Sequence, residues 1–219
     1  MSGVQADRRI QVLELAGMPS VPRHAARATR DAGRTTRAAL LEAATALFGE
    51  RGLAGVSIAE IAKAADCFPS QVTYYFGDKE SLFVEAACRE MLAVREAVEH
   101  AARRGRTPEG AVRGMVRAAT ESEAVLGFVE AMLLARRRPD LQPAVSEAFA
   151  ELHTRAERAA SDILARRGWV TPVSADALSR AFWSAIIGVG LERAATGDAF
   201  DLRAAEAAVR AVLNFSESG

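Results

Sequence analysis

From Thr35 onward apolar residues recur three and four positions apart, the spacing of an amphipathic helix, and no run alternates apolar with polar as a half-buried strand would. Leu40, Ala43, Ala44, Leu47 and Phe48 form one such stripe, on a helix of about four turns that Gly52 terminates. Ser57-Ile58-Ala59-Glu60 reads as a capping box, the serine hydroxyl taking an orphan amide while the glutamate reaches back, and opens a short helix through Ala64. Asp66-Cys67-Phe68 is a tight connection, and Pro69 suits the first position of a third helix running to about Tyr75. Asp78 caps a long fourth helix from Lys79 to about Arg104. Five further amphipathic segments are predicted near 108–120, 122–137, 141–167, 174–196 and 201–215, separated by proline- and glycine-bearing breaks.

Composition supports the same class. Half of the 219 residues are hydrophobic, enough for a sizeable core, and alanine dominates that half, so the chain is expected to be all-α with about nine helices. Residues 1–33 stand apart: Arg8, Arg9, Arg23, Arg27 and Arg30 lie among small residues with Pro19 and Pro22, which reads as a disordered basic arm, with a short amphipathic piece at Ile10–Leu15 and Met18 as a second candidate start. The predicted division is an arm over 1–33, a small three-helix unit over 34–79 and a larger helical unit over 80–219. Cys67 and Cys88 have no metal-ligand spacing, His24, His100 and His153 are not paired, and no cofactor fingerprint is present, so no metal and no cofactor is expected. Cys67 reads as a small buried hydrophobe and Arg136-Arg137-Arg138 as a helix C-terminal charge cluster. The longest apolar run, Ala181–Leu191, is too short to span a bilayer and no secretory signal is visible, which points to a soluble, cytoplasmic protein with no membrane partner.

Two short helices joined by a tight turn are the geometry in which the second lies in a major groove while the first crosses the backbone. The segment Pro69 to Phe76 has the composition for it: Val72 and Phe76 point inward, and Ser70, Gln71, Thr73 and Tyr74 largely outward. Glutamine pairs two-pronged with adenine and threonine meets a thymine methyl. Charge pulls the other way. The chain is neutral, and Arg34, Arg37, Arg51, Lys63 and Lys79 face Glu42, Glu50, Glu60, Asp66, Asp78 and Glu80 in the same region, so phosphate binding must rest on a few placed cations and helix N-termini.

Over about fifty residues from Thr35 to Phe83 the sequence resembles the N-terminal domain of the tetracycline-repressor (TetR) family. The resemblance is carried by the Arg37-led first helix, Leu47-Phe48 followed by Gly52, Ser57 with Glu60-Ile61-Ala62, and above all Tyr75-Phe76 with Lys79-Glu80 and Leu82. It implies that Arg37 and Lys79 contact phosphates, that Ser57 caps its helix and touches phosphate, that Gln71 and Thr73 reach the groove, and that Tyr75 lies on the DNA backbone. Relatives commonly carry Gly-Val-Ser where this chain has Asp66-Cys67-Phe68, and tyrosine where Thr73 stands.

The segment 174–196 is apolar all round, which predicts burial on two sides, one on the protomer core and one on a partner. Leu178, Phe182, Ile186 and Val189, with Val209 and Leu213 of the last helix, are the expected homodimer contacts, and Ala181, Ala185 and Gly188 would allow close approach. In relatives the last two helices build such an interface, and a two-fold dimer suits palindromic double-stranded operator DNA. Met115, Phe128, Met132, Phe149, His153 and Trp183 are the expected lining of a pocket for a small apolar or amphipathic effector. The function so read is a repressor released from its operator by that effector. A regulator controlled by a protein partner and an all-α enzyme remain the alternatives, the latter without any nucleophile, phosphate-loop or metal motif behind it.

Overall fold

The computed structural model describes the backbone of residues 23–217 and the side chains of residues 31–215. Most of the arm, including Arg8, Arg9 and the Ile10–Leu15 piece, therefore lies outside the described residues. Nine α-helices occur among the described residues: α1 Arg23–Arg51, α2 Ile58–Ala64, α3 Pro69–Phe76, α4 Lys79–Arg104, α5 Pro108–Thr120, α6 Ala124–Arg137, α7 Gln142–Arg167, α8 Ala175–Thr196 and α9 Leu202–Leu213. The first of these begins at Arg23 rather than Thr35. Its early turns are rich in alanine and arginine, strong helix formers that need no apolar stripe to continue a helix.

Side-chain caps start the helices where the sequence places them. Ser57 Oγ accepts from Glu60 N at 3.2 Å, Asp78 Oδ1 from Ser81 N at 2.7 Å, Thr107 Oγ1 from Gly110 N at 3.1 Å and Ser174 Oγ from Ala177 N at 3.2 Å. Between α6 and α7 a 3-10 turn, Pro139–Leu141, makes the corner. The last helix stops at Leu213 instead of 215, because Asn214 takes a left-handed conformation (φ +45°) and the chain leaves as a strand. Ser216–Glu217 pairs antiparallel with Trp169–Val170 in a two-residue ladder, and Phe215 stacks on Trp169 with ring centroids 6.3 Å apart.

α4 is the axle of the packing. It lies against α3 at its start and against α5, α6 and α7 along its length, while α8 packs on α5, α6, α7 and α9. One continuous core runs from Leu40 to Leu213, and the Phe48 ring of α1 meets Phe83 of α4 edge-on at 5.3 Å. Phe128, Leu152, Trp183 and Ile186 are sealed at the centre, each less than 2% exposed. α8 comes so near α6 that a Cβ on Gly190 would sit 2.9 Å from Val125 Cγ1, which is why glycine stands there. No helix among the described residues is long and apolar enough to cross a membrane.

The α2–α3 turn hinges on Asp66, whose φ of +52° is a left-handed conformation that costs a side-chain-bearing residue about 1–2 kcal/mol. Asp66→Val is expected to lower the unfolding free energy by about 1–2 kcal/mol, and Asp66→Gly to leave it equal or higher. Urea denaturation of the two variants checks this.

Candidate nucleic-acid interface and inner cavity

α3 is sealed on one side and open on the other. Val72 is 0% and Phe76 8% exposed, whereas Tyr74 is 80% exposed and Ser70 and Thr73 are also open to solvent. Tyr75 is half-buried and meets Tyr74 edge-on at 4.9 Å, so the open face carries a braced aromatic pair. Gln71 is half-buried and its Oε1 accepts from Phe68 N at 3.1 Å, closing the first turn that no serine caps. A two-pronged contact with adenine needs both Oε1 and Nε2, so the free amide nitrogen is the half of Gln71 available without breaking that bond. Phe68, 75% exposed at the head of α3, is an outward aromatic that the sequence reading treated only as part of a turn. The signal was its place where relatives carry the serine cap.

The cations of this region are mostly committed inside the protein. Arg37 donates to Glu85 Oε2 at 2.6 Å and lies 4.7 Å from the centre of the Phe76 ring, bracing α3 and α4. Lys79 Nζ donates to the carbonyls of Leu53 and Val56, both at 2.9 Å, and so ties the α1–α2 turn to the start of α4. Both cations thus have acceptors within the protein, Arg37 on α4 itself and Lys79 in the α1–α2 turn. Arg51 pairs with Glu60 at 2.8 Å. The Ser57 hydroxyl donates to Glu60 Oε2 at 2.6 Å, so its one proton is not open to a phosphate. Hydrogen bonding from Ser57, then from Arg51, holds the Glu60 carboxyl down at about 2, against an ordinary 4.5. Lys63, exposed on α2, has no ion pair among the described residues.

Arg138 joins this region to the rest of the bundle. Its guanidinium pairs with Asp78 Oδ2 at 3.0 Å, with Asp140 Oδ2 at 2.7 Å and with Glu80. Asp78 thus caps α4 with one oxygen and anchors the α6–α7 corner with the other. Burial pushes the Asp78 carboxyl up, but the Ser81 amide and Arg138 outweigh it and hold it below the usual range. Arg136 and Arg137 end α6 as the expected helix C-terminal charges, and Arg138, its C-cap, is in addition a three-way clasp.

The body holds an apolar cavity of about 70 Å³ between α4, α5, α7, α8 and the C-terminal segment. Met115 and Trp183 line it, as the sequence reading expected of a pocket, together with Val98 and Glu99 of α4. Phe128, Phe149 and His153 do not; they form their own stack, with centroids 5.0 Å and 5.8 Å apart, and Met132 is half-buried elsewhere. Burial first, then the charge of Arg180, pushes the His153 imidazole below its usual range. Cys88 is 8% exposed and burial, then Glu85, pushes its thiol up to about 11, so it is an inert packing group. Cys67 is half-buried with Sγ 3.2 Å from the Ala65 carbonyl, rather than a core residue.

The six expected dimer contacts are used up within the protomer. Leu178, Phe182, Ile186, Val189, Val209 and Leu213 are all between 0% and 7% exposed, and Leu178, Phe182 and Leu213 line the cavity. An all-round apolar helix does not say which face turns inward, and the bulkier face did. What α8 and α9 leave open is a smaller-residue surface: Ser184, Gly188 and Leu191 (46% exposed) on α8, Ala208 and Val212 (54%) on α9.

Comparisons with known proteins point to one family. Residues 40–86 match the model of bacterial regulatory proteins of the tetR family, and residues 110–213 match that of a bacterial transcriptional repressor C-terminal region. The HTH-type transcriptional regulator BetI of Paraburkholderia xenovorans (strain LB400) is 30% identical over 174 residues, 77% of this chain and 87% of BetI. A crystal structure described as a transcriptional regulator from Rhodococcus sp. RHA1 superimposes with a TM-score of 0.74 at 38% identity, covering 82% of this chain and 95% of that one. The multidrug binding protein EbrR, solved with proflavin, shares the fold at a TM-score of 0.55 and 23% identity, over 81% of this chain and 99% of that one.

The two lysines separate structure from surface. Lys79→Met removes two charge-assisted hydrogen bonds and is expected to cost about 1–3 kcal/mol of stability. Lys63→Met is expected to change it by less than about 0.5 kcal/mol. Chemical denaturation of both checks this.

Proposed function

Because the chain belongs to the tetR family of bacterial regulatory proteins, we propose that it is a repressor that grips palindromic operator DNA as a homodimer and lets go when a small apolar molecule occupies the inner cavity. One observation carries the reading. The same helix, α4, holds α3 in place at its first turn and supplies Val98, Glu99 and Ala102 to the cavity wall further along. A ligand that resets α4 therefore resets α3. EbrR, a neighbour in fold, is a multidrug binding protein, which supports a small-molecule input of this kind.

In this reading α3 enters the major groove with Thr73, Tyr74 and Ser70 toward base edges, Gln71 Nε2 and Tyr75 beside them, and Phe68 on the sugars. Lys63 and the helix N-termini supply the phosphate contacts, while Arg37, Ser57 and Lys79 position α2 and α3 through the bonds described above. The dimer forms through the open faces of α8 and α9 around Gly188, Leu191 and Val212, and sets two copies of α3 about 34–36 Å apart, one helical turn of DNA. Arg138 transmits: a shift of the α6–α7 corner pulls on Asp78 and hence on the start of α4. A tenfold fall in operator affinity requires about 1.4 kcal/mol of difference in ligand binding between the two settings.

The test is fluorescence anisotropy with duplex DNA from promoters adjacent to the gene. Thr73→Ala and Tyr74→Ala are each expected to lose about 1–3 kcal/mol of specific affinity with the dimer intact; unchanged affinity in both would remove α3 from the interface. Arg138→Gln is expected to bind operator and ligand but to show less than half the wild-type coupling between them, measured by repeating the titration at saturating ligand.

A further inference from the structure

We infer that the inner cavity takes a neutral compound of single-ring size bearing one oxygen, the oxygen held by Trp183 Nε1 and Ser179 Oγ. This rests on the cavity being the effector site proposed above and adds the chemistry of the effector. Apart from Glu99, two residues one turn apart on α8 interrupt the apolar lining: Ser179, 4% exposed, and Trp183, 1% exposed. Both polar atoms, Ser179 Oγ and Trp183 Nε1, are buried with no hydrogen-bond partner among the described residues. Buried polar atoms in folded proteins almost always have partners, and phenylalanine and alanine would fill the same space with nothing to satisfy. An indole N–H only donates, so its partner must offer an acceptor; a serine hydroxyl both donates and accepts. One hydroxyl oxygen meets both needs, accepting from the indole and exchanging a hydrogen bond with the serine.

Charge and size narrow the class. The one ionisable group in the lining, Glu99, is already matched: it pairs with the buried Arg95, and Arg103 stands 3.8 Å away. A cationic ligand finds no unpaired carboxylate and an anionic one no free cation, and burial of either alone is prohibitive. On a scale where one water takes about 10–15 Å³, a cavity of about 70 Å³ fits a single ring.

Phenol and toluene have nearly the same shape and differ in hydroxyl against methyl, and benzoate is the charged control. Calorimetric titration of the full-length wild-type protein at neutral pH is expected to show phenol binding at least as tightly as toluene, although toluene leaves water more readily, and benzoate not binding. Trp183→Phe and Ser179→Ala are each expected to shift the phenol-to-toluene ratio about tenfold toward toluene. Tighter binding of toluene to the wild type, an unchanged ratio in both variants, binding of benzoate, or no binding of phenol up to its solubility would each overturn the inference. Operator titration with phenol present separates this from the effector reading. Phenol that binds in the expected pattern but leaves operator affinity unchanged removes the effector role alone. Phenol that releases the operator with no sensitivity to either substitution removes the assignment of Ser179 and Trp183 alone.

Discussion

α4 must satisfy two sets of neighbours with one rigid rod. At its first turn Asp78, Lys79 and Glu80 are bonded to Ser81, to two turn carbonyls and to Arg138, and further along Val98, Glu99 and Ala102 form part of a cavity wall. A helix bonded along its length moves as a unit, so neither end adjusts without the other. The continuous core from Leu40 to Leu213 reinforces this, since it runs from the packing of α2 and α3 into the bundle as one cluster.

The electrostatics follow from the neutral composition. With equal numbers of acids and bases, cations near α3 find carboxylates before they find solvent: Arg37 finds Glu85, Arg51 finds Glu60, Arg138 finds three. Such pairs fix the relative placement of short helices that have little core of their own. The consequence is a head held by its own charges, whose open α3 face presents hydroxyls and aromatic rings rather than a positive field.

Much of the fold was legible because its signals are local. Ser57 with Glu60, Asp78, Thr107 and Ser174 mark helix starts within one turn of themselves, and the nine segments follow from them and from the period of the apolar stripes. The start of α1 was not, since Ala and Arg extend a helix without leaving a stripe to read. The open edge of α3 was legible from the inward Val72 and Phe76. The commitments of Arg37, Lys79 and Arg138 were not, because their acceptors lie far away in sequence and periodicity carries no tertiary partner. The same limit assigned Phe128, Phe149 and His153 to the cavity and Phe182 to a dimer face, when the rotation of α6, α7 and α8 about their own axes decides which side chains turn to the cavity and which to the core. Ser179 left no trace at all; a serine in an apolar helix reads as filler until its burial is known.

Trp169 and Phe215 close one side of the cavity, and they hang on a ladder two residues long. Every other wall is a helix packed over many turns. A ladder this short has little cooperative strength, so this side frays at far lower cost than the bundle would spread. The chamber therefore has a soft door at the tail of the chain, and under the proposed function a ligand enters and leaves there without any helix of the bundle being unpacked.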